Sequence, residues 1–472
     1  MQETLTDNVN LVPSSLATSD LVTEITPVLR FTEKGARTRL AGSIAVQGLL
    51  YARTGAENNK IYPLADLLGN VELLDNFFYV EGAMSVLQQF FNPFGAQPTN
   101  IANATPNRYT TALYRVSPYI QGTATGGVNY QLRNNSIWSN LNGAPIAANN
   151  SYTSEWVGRV DGPAAPLGWS VDFDLTDVKF NNQAPQKTNL GRLGTRYFYD
   201  PQVHLRADVG YEDNHYSLSS FRGYIYGVGI EWRPTERTSV VANWEHRFFG
   251  SSYLLSFDHR TPLSAWSVIA SRNITSYPQQ LASLPSGNVQ GILNQLFLSR
   301  IPDPTQRQDA IDALILSQGL PTNLLSPVNL YTQQILIAEN LRATVGLVGA
   351  RNTLFLTLFY LRNEPITGSG NPLPPIFSNA NNDTTQQGAS LVWTHNLSPA
   401  ATLNLAVDAT QSKLNAPLTG TTNQGAIRLF VTSPISASTT VFAGARYQIS
   451  RSDVVVDYNE AAVFAGLNHT FK

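Results

Sequence analysis

The sequence predicts an all-β chain closed into a transmembrane antiparallel β-barrel of the outer-membrane type. Three observations predict it. Charged residues make up 14% of the 472, against about 25% in a soluble globular protein. Hydrophobic residues still make up 42% and aromatics 10%, with a mean hydropathy of -0.14. Polarity therefore comes from uncharged side chains, and the aromatic content excludes disorder. Third, apolar and polar residues alternate over about ten residues at a time, repeatedly, as spanning strands require.

Other classes fall away on composition. A spanning helix needs about 20 consecutive apolar residues, and the most apolar stretch is 353–361. A closed barrel is the remaining way to satisfy the backbone inside a bilayer. A net charge of -2 and a pI near 6.3 give no nucleic-acid-binding signal. With no Cys there is no disulfide framework and no thiolate site. Met1 runs straight into polar, strand-like sequence, which reads as a start codon on a mature chain, its signal peptide removed or not included.

The strands are legible by parity. In 203–214, Val203, Leu205, Ala207, Val209 and Tyr211 oppose His204, Arg206, Asp208, Gly210 and Glu212. In 224–233, Tyr224, Tyr226, Val228, Ile230 and Trp232 oppose Ile225, Gly227, Gly229, Glu231 and Arg233. The same split recurs in 169–176, where Asp172 and Asp174 share the polar face, and in 240–248, 402–412 and 440–450. A soluble sheet would show Lys and Glu to solvent, but only six of the 31 basic residues are Lys. Arg with Asp and Glu on one face suits a barrel lumen, because the guanidinium fork can bridge strands. The candidate lumen residues are Asp172, Asp174, His204, Arg206, Asp208, Glu212, Glu231, Arg233, Glu245 and Arg247. Glu231/Arg233 and Glu245/Arg247 are expected to pair across neighbouring strands. Leu205 is expected near mid-membrane.

Short turns (33–37, 75–76, 123–126, 200–202, 234–237, 351–352, 398–401) separate longer Asn-, Gly- and Pro-rich loops (92–107, 140–150, 367–383, 415–422). That is the two-rim asymmetry of these barrels. A strand plus its connection takes roughly 21 residues, which gives about 22 strands in a range of roughly 18–22.

One segment, 277–328, changes period. Val289, Ile292, Leu293, Leu296 and Phe297 repeat at helical spacing. Asp303-Pro304-Thr305-Gln306 reads as a capped helix start. Ile311, Leu314 and Ile315 form its stripe, and Gly319 and Pro321 stop it. Helices over 289–300 and 304–318 are expected, as a two-helix insertion that lids the barrel or plugs it. A plug domain ahead of the barrel is not expected, since alternation begins by Leu5.

At the C-terminus, Ala461, Val463, Ala465, Leu467 and His469 alternate back from Phe471. That resembles the terminal-strand signal of barrel assembly, although Lys472 follows the aromatic. Tyr211, Trp232 and Phe471 suit interfacial girdles.

No catalytic, cofactor or metal constellation stands out. The six His are scattered, and no phosphate loop follows a strand. His204, Asp208 and Glu212 share a face, which admits an outer-membrane hydrolase, but satisfied lumen groups explain them far better. The chain is expected not to be an enzyme.

Glu3-Thr4-Leu5-Thr6-Asp7-Asn8-Val9-Asn10-Leu11, Ser19-Asp20-Leu21-Val22-Thr23-Glu24-Ile25-Thr26-Pro27, Asn92-Pro93-Phe94-Gly95 and Ser299-Arg300-Ile301-Pro302-Asp303-Pro304 resemble the PEP-CTERM system-associated outer membrane barrels, nearly end to end. Members of that family tend to sit with exopolysaccharide synthesis and export systems of Gram-negative bacteria. The resemblance implies an outer-membrane conduit for polysaccharide, with outer-membrane lipid, the barrel assembly machinery and periplasmic export components as partners. No catalytic residues carry over. The residues alone also leave open a general or sugar-type diffusion porin, and a scaffolding barrel that holds a partner in its lumen.

Overall fold

A computed structural model describes residues 1–471 except 143–149, 164–165, 182–184, 217–218, 283–288, 322, 367–382 and 416–418. The expected loops at 140–150, 367–383 and 415–422 therefore lie wholly or partly outside the described residues. The first strands are β1 (Gln2–Thr6), β2 (Asp20–Ile25), β3 (Val28–Lys34), β4 (Thr38–Tyr51), β5 (Lys60–Leu74), β6 (Phe78–Phe90), β7 (Arg108–Ala124) and β8 (Val128–Asn142). Next come β9 (Ser151–Asp161), β10 (Leu167–Phe180), β11 (Gln186–Phe198), β12 (Val203–Tyr216), β13 (Ser219–Thr235), β14 (Thr238–Arg247), β15 (Gly250–Arg260) and β16 (Ser264–Thr275). The last are β17 (Leu336–Val348), β18 (Asn352–Pro365), β19 (Thr384–Ser398), β20 (Ala401–Leu414), β21 (Gly420–Ser436), β22 (Thr439–Ser452) and β23 (Tyr458–His469).

From β4 onward each strand pairs antiparallel with the next, as in Asp208↔Gly227↔Glu245. β2 and β3 both pair with β4, on its two halves. They form one wall position interrupted at Thr26-Pro27, where proline cannot donate to the ladder. The 23 strands thus make 22 wall positions. β1 pairs with both β2 and β23 and closes the barrel, from Gln2↔Gly466 to Thr6↔Ala462. Closure pairs β1 on both of its sides, while β3 pairs with β4 alone and keeps its other edge unpaired among the described residues.

Connections at one rim are two to five residues. At the 125–127 turn, Gly126 (φ 83) and Gly127 (φ 75) are both left-handed, a conformation that costs a side-chain-bearing residue. The other rim carries the long segments 7–19, 91–107 and 276–335. After α1 (Gly55–Asn58), the last of these contains, among its described residues, three helices, α2 (Tyr277–Ala282), α3 (Val289–Phe297) and α4 (Pro304–Gln318), where two are expected. The extra helix, α2, is short and has Tyr277 and Leu281 buried. It carries no apolar period that a sequence pattern could reveal. The single turn α1 lies outside this segment.

Alternation sorts the wall into two faces. Leu205, Val209, Tyr224, Tyr226, Val228, Ile230 and Trp232 are exposed on the outside, an apolar belt that only lipid or detergent can cover. Asp208, Glu212, Asn214 and Arg247 are buried on the inside. Leu205 lies two residues from the end of β12 and not at its middle, so Val209, 59% exposed, is the mid-depth position. Val209→Arg is therefore expected to destabilise by about 2–4 kcal/mol, and Leu205→Arg by about 0–1 kcal/mol, because the penalty falls toward the interface. Urea unfolding in lipid vesicles measures both, and equal losses would contradict this depth assignment.

Candidate pore and its inserted segment

The inner faces of β9–β14 carry interleaved arginines and carboxylates. Asp172 accepts from Arg159 (3.2 Å) and from Arg206 (3.4 Å), which also donates to Asp208 (3.1 Å). Arg192 reaches Glu245 at 2.7 Å across the two intervening strands. Gly210 and Gly227 lie beneath that bridge. A Cβ on Gly227 would sit 2.8 Å from both Asp208 Oδ2 and Glu245 Cγ, and one on Gly210 3.1 Å from Arg192 Cγ. Glycine here is a packing requirement: it makes the floor over which long side chains cross. Arg247 pairs with Glu212 at 2.6 Å, both nearly inaccessible, and also donates to Asn273 at 2.7 Å. Asp174 accepts from the Thr176 hydroxyl at 2.9 Å.

One expectation needs correction. Glu231 and Glu245 do not face each other's cations, because register places Glu231 opposite Val241 and Glu245 opposite Gly227. Glu231 instead takes Arg233 (3.1 Å) and His204 Nδ1 (3.2 Å), close to the short-turn rim. A shared face is not a shared site: His204, Asp208 and Glu212 each bind a different partner, Glu231, Arg206 and Arg247, and form no triad.

Neutralising Glu231 and Glu245 together is expected to move a reversal potential toward anions, because charge at a constriction sets which ions enter. Planar-bilayer recording under a salt gradient measures it. An unmoved potential would place both groups off the conducting path.

Beyond β15, the inner faces of β16–β19 carry an apolar patch. Val289, Ile292, Leu293 and Leu296 of α3 and Ile311 of α4 bury into one cluster with Ala265, Val348, Phe355 and Val392 from β16–β19, and Phe297, Leu314 and Ile315 pack against it. Gly346 admits the helix: a Cβ there would lie 2.6 Å from Ile292 Cγ2. Gln295 donates to Asp258 at 3.2 Å.

The segment descends to the short-turn rim. There Arg300 donates to the Pro262 carbonyl, and Lys34 donates to Thr305 at 2.9 Å. Arg307 ties the turn between α3 and α4, donating to the carbonyls of Ile301 (2.7 Å) and Pro302 (2.9 Å). Asp303 caps α4 through the Gln306 amide (2.8 Å). Gly319 (φ 64) ends it, with the Leu320 amide bonded back to Ile315 (3.0 Å). The chain then climbs back, and Val328 and Gln386 exchange two hydrogen bonds near the long-loop rim.

At that rim it meets 91–107. The Tyr331 amide donates to the Phe91 carbonyl at 3.1 Å, and the Tyr109 and Tyr277 hydroxyls hydrogen-bond to each other. Burial first, and then the adjacent Tyr109, push the Tyr277 hydroxyl well above the usual phenol range, so it keeps its proton at neutral pH.

Sequence reasoning missed a buried latch at the barrel seam. Arg446 and Glu460 pair at 2.9 Å with side chains 1% and 0% exposed. Thr6 donates to Glu460 at 2.7 Å, and Asn103, carried by 91–107, donates to Glu460 (3.1 Å) while accepting from Arg446 (2.9 Å). Parity in β23 places Glu460 opposite in face to Ala461 and Val463, and that was the available signal. Nothing in sequence marks Asn103 as its partner.

No family model matches the chain, and no curated protein matches it. In structure it is similar to the siderophore receptor PirA of Pseudomonas aeruginosa (TM-score 0.42, 10% identity, covering 100% of this chain and 80% of that one). It is also similar to the siderophore receptor PiuA of Acinetobacter baumannii (TM-score 0.43, 9% identity, 99% of this chain and 81% of that one). A third similar structure is Pseudomonas aeruginosa OpdK with vanillate (TM-score 0.34, 9% identity, 83% of this chain and 97% of that one).

Proposed function

We propose that this chain is a bacterial outer-membrane channel, a passive conduit narrowed by its own segment 276–335, with exopolysaccharide as the exported cargo. One observation carries the reading. A closed, apolar-sided barrel contains a segment of its own chain that runs from one rim to the other and back. A lumen of this strand number is wide, and an unobstructed one would leak periplasmic solutes.

The cargo follows from the chemistry of the wall. Asn, Gln, Ser and Thr side chains, together with balanced ion pairs, offer donors and acceptors to hydroxyls without a strong net field. The resemblance to PEP-CTERM-associated barrels supports the same cargo. Phe471, 87% exposed beyond the end of β23, is open to the assembly machinery.

Purified protein in planar bilayers should conduct, and oligosaccharides added on one side should block the current for times that lengthen with chain length. Conductance that sugars leave untouched would sink the polysaccharide cargo. Sugars that block independently of length would favour a general diffusion porin.

A further inference from the structure

The lumen has two unlike walls. α3 and α4 dock on the apolar inner faces of β16–β19, and α4 ends against β21, where a Cβ on Gly319 would sit 3.1 Å from Thr432 Oγ1. Beside them on the wall, with β15 between, the ladder Arg159, Asp172, Arg206, Arg192 and Glu245 keeps side-chain exposures between 17% and 32%. These groups are wetted, whereas the cluster under α3 is dry; nearer the long-loop rim the same faces narrow, with Glu212, Asn214 and Arg247 buried. Leu254 of β15 shares the inward face with its partner Asn243 and is 43% exposed, so open lumen lies in front of it too.

The docking side is held at both depths. Apolar burial fixes α3, the Arg300–Pro262 bond holds the lower turn, and Thr394 donates to Gln318 at 3.1 Å. Withdrawing the helices would expose Phe355 and Val392 to water and strip Ile292, Leu293 and Leu296 of their cover, an unfavourable exposure of apolar surface. Leaving them in place costs nothing if a wetted route already runs past them.

We infer that solute moves along the wetted track on the inner faces of β9–β15, and that α3 and α4 are a fixed partition which narrows the bore without leaving it. The interleaved arginines and carboxylates suit neutral, hydroxylated solutes, which can accept from one neighbour and donate to the next. This inference rests on the channel reading above.

The chain contains no Cys, so an introduced thiol pair is the sole pair. Ile292→Cys with Gly346→Cys pins α3 to β17, since a Cβ on Gly346 already lies 2.6 Å from an Ile292 methyl. Gln318→Cys with Thr394→Cys is a second lock, at the other helix, should the first fail to fold. Either oxidised lock is expected to conduct within about twofold of wild type, since a charge-lined route past the partition stays open. Leu254→Cys treated with a bulky thiol reagent is expected to lose most of its conductance.

A locked barrel that stays silent until reduced would show that the helices must leave, and would overturn the partition. Leu254→Cys labelled without loss of current would move the path off the track. A wild-type barrel that conducts nothing overturns the channel reading itself, before any lock is made, and the track falls with it.

Discussion

Deletion of residues 279–326 is expected to leave a folded barrel with clearly higher conductance. Folding should survive because the hoop is continuous without the segment: β16 pairs with β17 directly, from Ser264↔Leu347 to Thr275↔Leu336. Conductance should rise because α3 and α4 lie inside the wall, and the deletion replaces both with water. The inner faces of Phe355 and Val392 would then be wetted, a loss of apolar burial on the order of 1.5–3 kcal/mol for each large side chain uncovered. Planar-bilayer recordings and heat-modifiability on gels read the two effects separately. A folded deletion variant with unchanged conductance would remove any role in the bore and leave the segment as a docking surface.

Glu460→Leu is expected to be the most damaging single substitution in the wall, at about 3–5 kcal/mol, because it strands a buried guanidinium. Arg446 would lose the carboxylate at 2.9 Å, and Thr6 and Asn103 would lose their acceptor. Arg446→Leu/Glu460→Leu should recover a large part of that loss, since two apolar groups in place of a buried pair are often neutral. Urea unfolding of the single and double variants in vesicles closes the cycle. A double variant no more stable than Glu460→Leu alone would show that the pair is not the origin of the cost.

Strand positions and faces were legible because period-2 alternation is a local property of each segment. The helices at 289–297 and 304–318 were legible for the same reason, through their apolar spacing and the Asp303-Pro304 start. The range of 18–22 closed on its upper end, at 22 wall positions. Who pairs with whom was not legible, because register depends on bulges such as the one between Trp232 and Thr235. Glu231 lies beside His204 because the β12–β13 register pairs them, and far from Arg247 because the β13–β14 register sets it opposite Val241. The stretch 353–361 held a signal that went unread. It is the most apolar segment because both faces of β18 carry apolar side chains, Leu356 and Leu358 exposed on the outside and Phe355 buried beneath α3. The latch between Asn103, Arg446 and Glu460 joins residues more than 300 positions apart, and no local pattern encodes that.

The closing strand has a kinetic consequence. β1 meets β23 over five residue pairs, Gln2↔Gly466 to Thr6↔Ala462, while most other seams run ten or more. Those five pairs join opposite ends of the chain, so they carry the greatest loop-closure entropy of any in the molecule. The cylinder can form as an open ribbon, hairpin by hairpin, but it becomes a cylinder only when the earliest residues meet the latest. The same short zip is where a closed ring under lateral load parts first. The wall is therefore a clasped bracelet more than a seamless tube, with the Thr6–Glu460 hydrogen bond as its pin.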